Sequence, residues 1–230
     1  MLYVVGTPIG NLEDLSLRQA RVISESEYIL SEDTRSTGIL LIKIKELFPS
    51  IQSGTTPQLI SYYKDNEFEK LPQILELMRT ANKVSMISQA GMPLVSDPGY
   101  LLIKHMIKEG LPFEVIPGPT AAATALVYSG FNPGHHMFIG FLQKKPNDVK
   151  KQIERLKEFS THDKNLIFVA YESPKRIQST LEILNEIVPD VHVAVCRELT
   201  KKFEEISRGK PADLKDREYR GEITLVLSAL

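Results

Sequence analysis

Residues 88–99 read Ser-Gln-Ala-Gly-Met-Pro-Leu-Val-Ser-Asp-Pro-Gly and follow the apolar run Val84–Ile87, which predicts a short buried strand. A helical pattern begins soon after them, near Leu101. Glycine lets a backbone approach a ligand closely, and proline fixes the path of a loop. Such a loop between a strand and a helix is typical of the carboxyl edge of an open α/β sheet, where ligands bind. Taken alone, the stretch fits an ordinary strand–helix turn equally well.

Two similar loops follow other predicted strands, at residues 6–11 after Leu2–Val5 and at residues 117–121 after Phe113–Ile116. Further strands are predicted at residues 28–30 and 59–61, and helical patterns separate the strands. This alternation predicts a mainly parallel sheet covered on both faces. Because parallel strands end at the same edge, we expect the loops to face one crevice. Their backbone-rich, uncharged character favours a nucleoside over a polyphosphate as the ligand.

Composition limits the class of protein. A length of 230 residues favours two domains of roughly a hundred residues each. The single cysteine, Cys196, excludes an internal disulfide and fits a reducing compartment. No apolar run is long enough to cross a bilayer and no signal-peptide pattern is present, so we expect a cytoplasmic protein. With a net charge of −1, any nucleic-acid role needs a local basic patch or a structured partner.

The second half of the chain combines strand patterns with charged clusters. Strands are predicted at residues 137–140, 165–170, 191–196 and 221–227, and a helix is predicted to end near Ile187. Residues 143–157 form a basic stretch that fits an RNA-facing surface and a solvated helix face equally well. In the first half, residues 49–57 lack periodicity and are predicted to be a loop.

Several common sites are absent from the sequence. There is no Gly-x-x-x-x-Gly-Lys-[Ser/Thr] run for triphosphates, no Gly-x-Gly-x-x-Gly for dinucleotides and no Gly-x-Ser-x-Gly for a serine hydrolase. The five histidines are scattered and lack carboxylate or cysteine partners at ligand spacing, so no metal site is expected.

Six runs of sequence, in order along nearly the whole chain, carry a resemblance to a known family. They are Val5-Gly6-Thr7-Pro8-Ile9-Gly10-Asn11-Leu12, Ser31-Glu32-Asp33-Thr34-Arg35, Ser88…Gly91-x-Pro93-x-x-Ser96-Asp97-Pro98-Gly99-Tyr100, Pro117-Gly118-Pro119, Tyr171-Glu172-Ser173-Pro174-x-Arg176 and Arg197-Glu198-Leu199-Thr200-Lys201-Lys202-Phe203-Glu204. Together they resemble the ribosomal RNA small-subunit methyltransferase I family, which belongs to the tetrapyrrole methylase superfamily.

The resemblance implies a two-domain α/β fold like that of tetrapyrrole methylases, with a mainly parallel amino-terminal sheet, a mixed carboxyl-terminal sheet and a cofactor cleft between them. The expected domains are residues 1–118 and 119–230. The resemblance also implies an S-adenosylmethionine-dependent homodimer that methylates a cytidine ribose 2′-hydroxyl in the decoding region of small-subunit (16S) rRNA. We expect the assembled subunit to be the substrate, because the chain lacks the basic excess needed to hold free RNA.

The resemblance also implies roles for individual residues, carried over by motif. The implied cofactor contacts are Pro8, Ile9, Gly91, Met92, Pro93, Val95, Thr120 and Ala121, with Phe168, Tyr171, Ala194 and Cys196 from the second domain. The basic residues expected to contact phosphate or ribose are Arg35, Arg176, Arg197, Lys201 and Lys202.

A proton acceptor is needed because a ribose hydroxyl is a poor nucleophile. The candidate carboxylates are Glu32, Glu172 and Glu198, each in a charged cluster just past a predicted strand. Each of them could instead form a surface ion pair, with Arg35, Arg176 and Arg197 respectively.

Two departures from the family pattern leave other functions open. Gln89 and Met92 replace the Asp and Thr that the family usually carries in this loop, and the chain stops at Leu230, where a small helical extension commonly follows. If that extension helps to hold RNA, binding would be weaker here. The alternatives are a methylase of a small tetrapyrrole or corrinoid substrate, and a cofactor-binding relative that no longer catalyses.

Overall fold

The chain forms two compact units, Met1–Thr120 and Ala121–Leu230. The computed structural model describes residues 1–51 and 56–230. The loop predicted over residues 49–57 therefore lies partly outside the described residues. Within residues 1–51 and 56–230, no helix combines the length and the apolar character that a bilayer span requires.

The first unit is built on a five-stranded, entirely parallel sheet. Its strands are β1 (Leu2–Val5), β2 (Tyr28–Ser31), β3 (Gln58–Ser61), β4 (Val84–Ile87) and β5 (Phe113–Ile116), in the order β3-β2-β4-β1-β5. Its helices are α1 (Leu17–Ser24), α2 (Thr34–Leu47), α3 (Glu67–Thr80) and α4 (Tyr100–Glu109). The parallel sheet predicted from the alternating pattern is confirmed.

Side chains of β1 alternate between two hydrophobic clusters, as the two-residue period of a strand requires. Leu2 and Val4 pack with α3 and α4, whereas Tyr3 and Val5 pack with α1 and α2. The sheet is thus buried on both faces, which parallel sheets need. Ser16 begins α1 with a reciprocal capping box to Gln19, so local sequence also fixes where this helix starts.

The second unit holds a five-stranded mixed sheet. Its elements are α5 (Ala121–Ser129), β6 (His136–Phe141), α6 (Pro146–His162), β7 (Ile167–Glu172), α7 (Ile177–Ile187), β8 (Val193–Arg197), β9 (Glu205–Gly209), α8 (Pro211–Leu214) and β10 (Ile223–Leu227). The strand order is β6-β7-β10-β8-β9, and β6–β7 is a parallel pair while the other pairs are antiparallel. The mixed sheet expected from the resemblance is confirmed.

The strand β9 and the short helix α8 were not predicted from the sequence. The β9 residues Glu-Ile-Ser-Arg-Gly are mostly polar and partly exposed, since the strand lies at the sheet edge and pairs only with β8. An edge strand of this kind has little apolar alternation to detect, because its stability comes from the backbone ladder with its neighbour. The helix α8 is only one turn long and begins with Pro211.

The glycine- and proline-rich loops that follow β1, β4 and β5 lie side by side, because β4-β1-β5 are neighbours. Gly6 and Gly118 touch closely: a Cβ on Gly118 would lie 2.9 Å from the Gly6 carbonyl carbon and 2.7 Å from Gln19 Nε2. Real Cβ atoms do not approach backbone this closely, so the contact requires glycine at both positions.

We therefore expect Gly118→Ala to separate the loops and lower the free energy of unfolding by ~1–3 kcal/mol, the usual cost of overpacking. Denaturant titration measures this change. Gly38→Ala is the matched control, because Gly38 lies inside α2 and its added Cβ has no neighbour within 4 Å. The control should raise stability by up to ~1 kcal/mol through helix propensity. Equal stability of both variants would contradict the packing argument.

Candidate functional site

The loops after β1 and β4 are joined by a backbone pair at the carboxyl edge of the first sheet. The Thr7 N–H donates to the Gly91 carbonyl at 2.8 Å, and the Gly91 N–H donates back at 3.1 Å. Gly91 adopts a φ of +84°, a conformation that favours glycine. The third loop is tied in by Gln19, whose Nε2 donates to the carbonyls of Gly6 and Pro117 at 2.8 and 3.1 Å.

A cavity of about 120 Å³ opens beside these loops. Its lining comes from the ends of β1, β2 and β4 and the first turns of α2, and includes Thr7, Pro8, Ser31, Glu32, Ser88 and Gln89. Pockets that enclose a whole ligand are usually ~300–1,000 Å³, so this one fits a single group of a larger molecule. The cavity lies at the expected edge of the sheet, but only the loops after β1 and β4 line it; its other walls come from β2 and α2 rather than from the loop after β5.

The expectation that this pocket is uncharged is wrong. Glu32 lines the cavity, and the half-buried Asp97 and Glu67 interact with it electrostatically. We call Glu32, Glu67 and Asp97 the carboxylate cluster. Sequence reasoning placed these acids in separate loops, and only the parallel sheet brings the ends of β2, β3 and β4 to one edge.

Burial and neighbouring charge both disfavour ionisation of Glu32 and Asp97. Burial raises the pKa of the Glu32 carboxyl, and the negative charge of Glu67 raises it further. Burial likewise raises the pKa of Asp97, to about 6, with a further contribution from Glu32 and an opposing hydrogen bond with Ser88. Glu67 itself is held in place, since its Oε1 accepts hydrogen bonds from the Gly99 N–H at 2.7 Å and the Tyr62 hydroxyl at 3.1 Å.

Two polar groups of the cavity lack a partner within the described part of the chain. The Ser31 hydroxyl is buried, with a side chain 2 % exposed, and its Oγ makes no hydrogen bond to a described residue. The Glu32 carboxylate likewise accepts no hydrogen bond among residues 1–51 and 56–230. A buried polar atom without a partner is costly, so Ser31 Oγ fits the recognition of a polar ligand group, and the half-buried Glu32 carboxylate beside it can accept a further hydrogen bond. The Glu32–Arg35 ion pair considered as the alternative role is not formed in the described part of the chain; Arg35 lies beside Asp33, the N-cap of α2.

The expected cofactor residues of the first unit cluster around the loop contact. Pro8, Ile9, Gly91 and Pro93 are buried, Met92 is half-buried, and Val95 is 41 % exposed. Gly91 lies against Ile9 and Pro119, since a Cβ on it would meet both within 4 Å. Thr120 ends the first unit, and Ala121 begins α5 in the second.

The expected cofactor residues of the second unit lie in its sheet. Phe168 is fully buried within the hydrophobic core of that unit. Ala194 and Cys196 are also fully buried, and the Cys196 thiol lies 3.9 Å from the Ala125 carbonyl of α5. Burial raises the pKa of Cys196 to about 12, so the thiol is not a nucleophile at neutral pH. Tyr171 is half-buried and packs edge-on against Phe138 and Phe141.

Glu172 is buried and saturated with hydrogen bonds. Its carboxylate accepts from the Ser173 N–H, the Arg176 guanidinium and the Thr180 hydroxyl, each at 2.6 Å. The ion pair with Arg176 considered from the sequence is present, but it is internal rather than on the surface, with the Glu172 side chain fully buried. Arg176 keeps a buried Nε without a partner among the described residues, so this guanidinium retains one unused donor.

Glu198 is also engaged, but not with Arg197. Its Oε1 accepts from the Glu222 N–H at 2.8 Å and from the Lys201 ammonium at 3.1 Å. Burial pushes the pKa of Glu198 upward, yet these two donors outweigh it and hold the pKa below its ordinary value. Arg197 instead pairs with Glu205 at 3.0 Å, and Lys201 has a second partner in Glu222 at 2.8 Å.

The basic stretch at residues 143–157 falls mostly on α6. The apolar side of this helix is buried through Val149, Ile153 and Leu156, so its basic residues lie toward solvent. Lys150 pairs with Glu186 at 2.6 Å. Exposed basic side chains on such a helix fit an RNA-facing surface and a solvated helix face equally well.

Ser31, Glu67, Asp97 and Gln19 had no role predicted from the sequence. Asp97 belongs to the loop at residues 88–99, and its position after a predicted strand could have indicated a place at the sheet edge. Glu67 begins a helix, and nothing local distinguishes it from other acids in a first turn. Within the described residues, no group of three or more His, Cys, Asp or Glu side chains is arranged to hold a metal ion.

Comparisons with known proteins agree with this architecture. Residues 1–215 match the family model described as Tetrapyrrole (Corrin/Porphyrin) Methylases. Ribosomal RNA small subunit methyltransferase I from Hydrogenobaculum sp. (strain Y04AAS1) is 42 % identical over 232 residues, covering 99 % of this chain and 95 % of that protein. The protein of the same name from Thermotoga maritima is 38 % identical, covering 99 % and 97 % respectively.

Solved structures of similar fold are more distant in sequence. The methyltransferase CobJ has a TM-score of 0.70 at 18 % identity, covering 99 % of this chain and 93 % of that one. Uroporphyrin-III C-methyl transferase from Thermus thermophilus, complexed with S-adenyl homocysteine, has a TM-score of 0.66 at 18 % identity, with coverage of 99 % and 96 %. These likenesses establish the fold. The match of the family model and the identity to full-length relatives show that the chain belongs to the tetrapyrrole methylase family and, within it, to the ribosomal RNA small subunit methyltransferase I family.

Proposed function

We propose that this chain is an S-adenosylmethionine-dependent enzyme that methylates the ribose 2′-hydroxyl of a cytidine in the decoding region of small-subunit (16S) rRNA. The observation that carries the proposal is the convergence of the three loops beside a cavity with unpartnered polar groups. The family membership supplies the reaction class. The homodimer and the cytoplasmic location expected from the resemblance are part of this proposal.

The loop cradle fits the cofactor. Thr7 and Pro8 from the loop after β1, and Ser88 and Gln89 from the loop after β4, line the cavity. The buried Ser31 Oγ offers unused hydrogen-bonding capacity there to a hydroxyl or amino group. A nucleoside carries such groups, and backbone recognition does not require the Asp and Thr that Gln89 and Met92 replace. We propose that Pro8, Ile9, Gly91, Met92, Pro93, Val95, Thr120 and Ala121 contact the cofactor, with Phe168, Tyr171, Ala194 and Cys196 as its contacts in the second unit. When bound, S-adenosylmethionine supplies an electrophilic methyl group.

We assign the role of proton acceptor to Glu32 among the three candidate carboxylates. Glu172 accepts three hydrogen bonds and Glu198 accepts two, so their lone pairs are used in holding Arg176 and the backbone near Glu222. Glu32 has no such partner in the described part of the chain, and its pKa is raised toward the range of an effective base. Glu32 therefore holds the proton that the ribose hydroxyl loses.

The basic residues expected to contact RNA differ in whether their charge is already used in an ion pair. Arg35 and Lys202 form no ion pair with any described residue, so their charges are available to phosphate oxygens. Arg176, Arg197 and Lys201 are ion-paired within the second unit, and we propose that they shape the RNA-facing surface while contributing partial donor capacity.

Binding and turnover test the proposed function together. Isothermal titration with S-adenosylmethionine and then S-adenosylhomocysteine should show a site for both. A tritium-methyl assay should label the 2′-oxygen in small subunits that lack the modification, and should label naked rRNA much less, because the chain has a net charge of −1. Equal labelling of naked rRNA would contradict the subunit requirement. Binding without turnover on any RNA would favour the non-catalytic relative, and turnover of a small tetrapyrrole would favour the other alternative.

The role of Glu32 predicts a kinetic and a pH effect. Glu32→Gln should lower kcat by about 10²–10⁴-fold while leaving S-adenosylmethionine affinity within a few-fold, since a general base acts in the chemical step. Glu67→Gln keeps an oxygen for Gly99 and Tyr62 but removes a negative charge that raises the pKa of Glu32. A base must be deprotonated to act, so Glu67→Gln should move the acid limb of the kcat profile to lower pH.

Glu198→Gln is the matched control for this assignment, because its carboxylate oxygen serves the Glu222 N–H and a neutral amide oxygen can still accept that bond. It should retain the wild-type pH profile. If Glu32→Gln kept its kcat, or if the acid limb did not move in Glu67→Gln, another group would be the base.

A further inference from the structure

The turn that links β8 to β9, residues 198–204, is held rigidly by its own carboxylates. Glu204 Oε2 accepts the Thr200 N–H at 2.6 Å, and Glu198 Oε1 accepts the Glu222 N–H at 2.8 Å. The Lys201 N–H donates to the Glu198 carbonyl at 2.9 Å, and the Glu204 N–H to the Lys201 carbonyl at 3.0 Å. The turn is thereby fixed at both ends.

Two residues of this turn have strained backbone conformations, which the neighbouring residues hold in place. Glu198 and Thr200 have φ values of +49° and +64°, which non-glycine residues rarely adopt. Glu198 can take this position because Gly221 has no side chain; a Cβ there would overlap the Glu198 carboxyl group. Strained backbone of this kind persists where the neighbouring structure holds it, and it concentrates at binding sites.

The strained turn presents an aromatic ring and a cation to solvent. Phe203 is 63 % exposed, and the Lys202 ammonium lies 5.6 Å from its ring centroid. The ring is not needed for packing, because the buried Leu199 supplies the apolar anchor of the turn. The neighbouring cations Arg197 and Lys201 are neutralised by Glu205, Glu198 and Glu222. Lys202 forms no ion pair with any residue that the structure describes.

We propose that Phe203 stacks on one unpaired base of the RNA substrate and that Lys202 contacts the adjacent phosphate. This inference rests on the proposed function, since it assumes an RNA substrate. An aromatic ring beside a cation is the arrangement that binds single-stranded RNA: the ring takes the face of a base, and the cation takes the backbone. Duplex RNA does not expose base faces, so the turn selects an unpaired nucleotide.

Steady-state kinetics on unmethylated small subunits test the stacking directly. Phe203→Ala and Phe203→Leu should each raise the KM for subunits about 5- to 150-fold with little change in kcat, the effect of losing one base–aromatic stack. Phe203→Trp should restore the KM to within about twofold of wild type, because its ring also has a π-face. The KM for S-adenosylmethionine should not move in any of the three.

Leucine separates base stacking from a plain apolar contact, because it keeps the hydrophobic surface and removes the ring. If Phe203→Leu behaved as wild type, the turn would bind an apolar protein surface of the subunit instead. Phe68→Ala is the matched control: this phenyl ring is 81 % exposed in the first unit, and its loss should leave both KM values unchanged. Unaltered melting temperatures show that the exposed-site variants still fold.

Fluorescence gives a test that does not depend on methylation. The chain contains no tryptophan, so Phe203→Trp creates a single indole reporter. Titration with oligocytidylate should quench this indole, whereas an RNA duplex of equal charge should quench it far less. Phe68→Trp should respond to neither. Adding Lys202→Met should weaken the oligocytidylate titration and reduce the slope of log affinity against log salt by about one.

Absence of quenching by oligocytidylate, or equal quenching by the duplex, overturns the stacking proposal even if the enzyme methylates rRNA. Absence of methylation of any small subunit by the wild-type chain overturns the proposed function, while the quenching experiment still decides whether the turn binds unpaired bases. The two failures are therefore distinguishable.

Discussion

The close contact between the loops after β1, β4 and β5 is the constraint on which the candidate site depends. Gly6 and Gly118 meet at a distance that admits no side chain, and Thr7 and Gly91 exchange two backbone hydrogen bonds. These bonds satisfy loop backbone groups at the end of a buried sheet, where unpaired groups would be costly. Because the loops are tied to each other, the wall that they contribute to the cavity is preorganised.

The same sheet edge also concentrates negative charge. Glu32 and Asp97 follow β2 and β4, and Glu67 begins α3 shortly after β3. Burial raises the pKa values of Glu32 and Asp97, and the neighbouring charge of Glu67 on Glu32 and of Glu32 on Asp97 raises them further. A fold gains no stability from such repulsion. Its presence beside a cavity with an unpartnered serine is consistent with a functional rather than a structural role.

In the second unit, by contrast, the candidate carboxylates are fully paired. Glu172 and Glu198 are consumed by hydrogen bonds and ion pairs that fix Arg176 and the β8–β9 turn. Ion pairs neutralise Arg197 and Lys201 at that turn. With a net charge of −1, the chain as a whole has no positive excess to attract phosphate over a distance. Phe203 and Lys202 are the ring and the cation that this turn leaves exposed.

The sequence by itself determined the parallel first sheet, the placement of the three loops at its edge and the family, because strand–helix alternation and glycine–proline spacing are local signals. The sequence did not predict β9, whose polar edge position leaves no hydrophobic period. It also predicted an uncharged pocket, whereas Glu32 lines the cavity and Asp97 interacts with Glu32. Only the tertiary structure decided which carboxylates are free and which are saturated. That distinction depends on partners distant in sequence. The Glu222 N–H donates to the Glu198 carboxylate, and Gly221 leaves the space that this carboxylate fills. No local sequence pattern encodes such contacts.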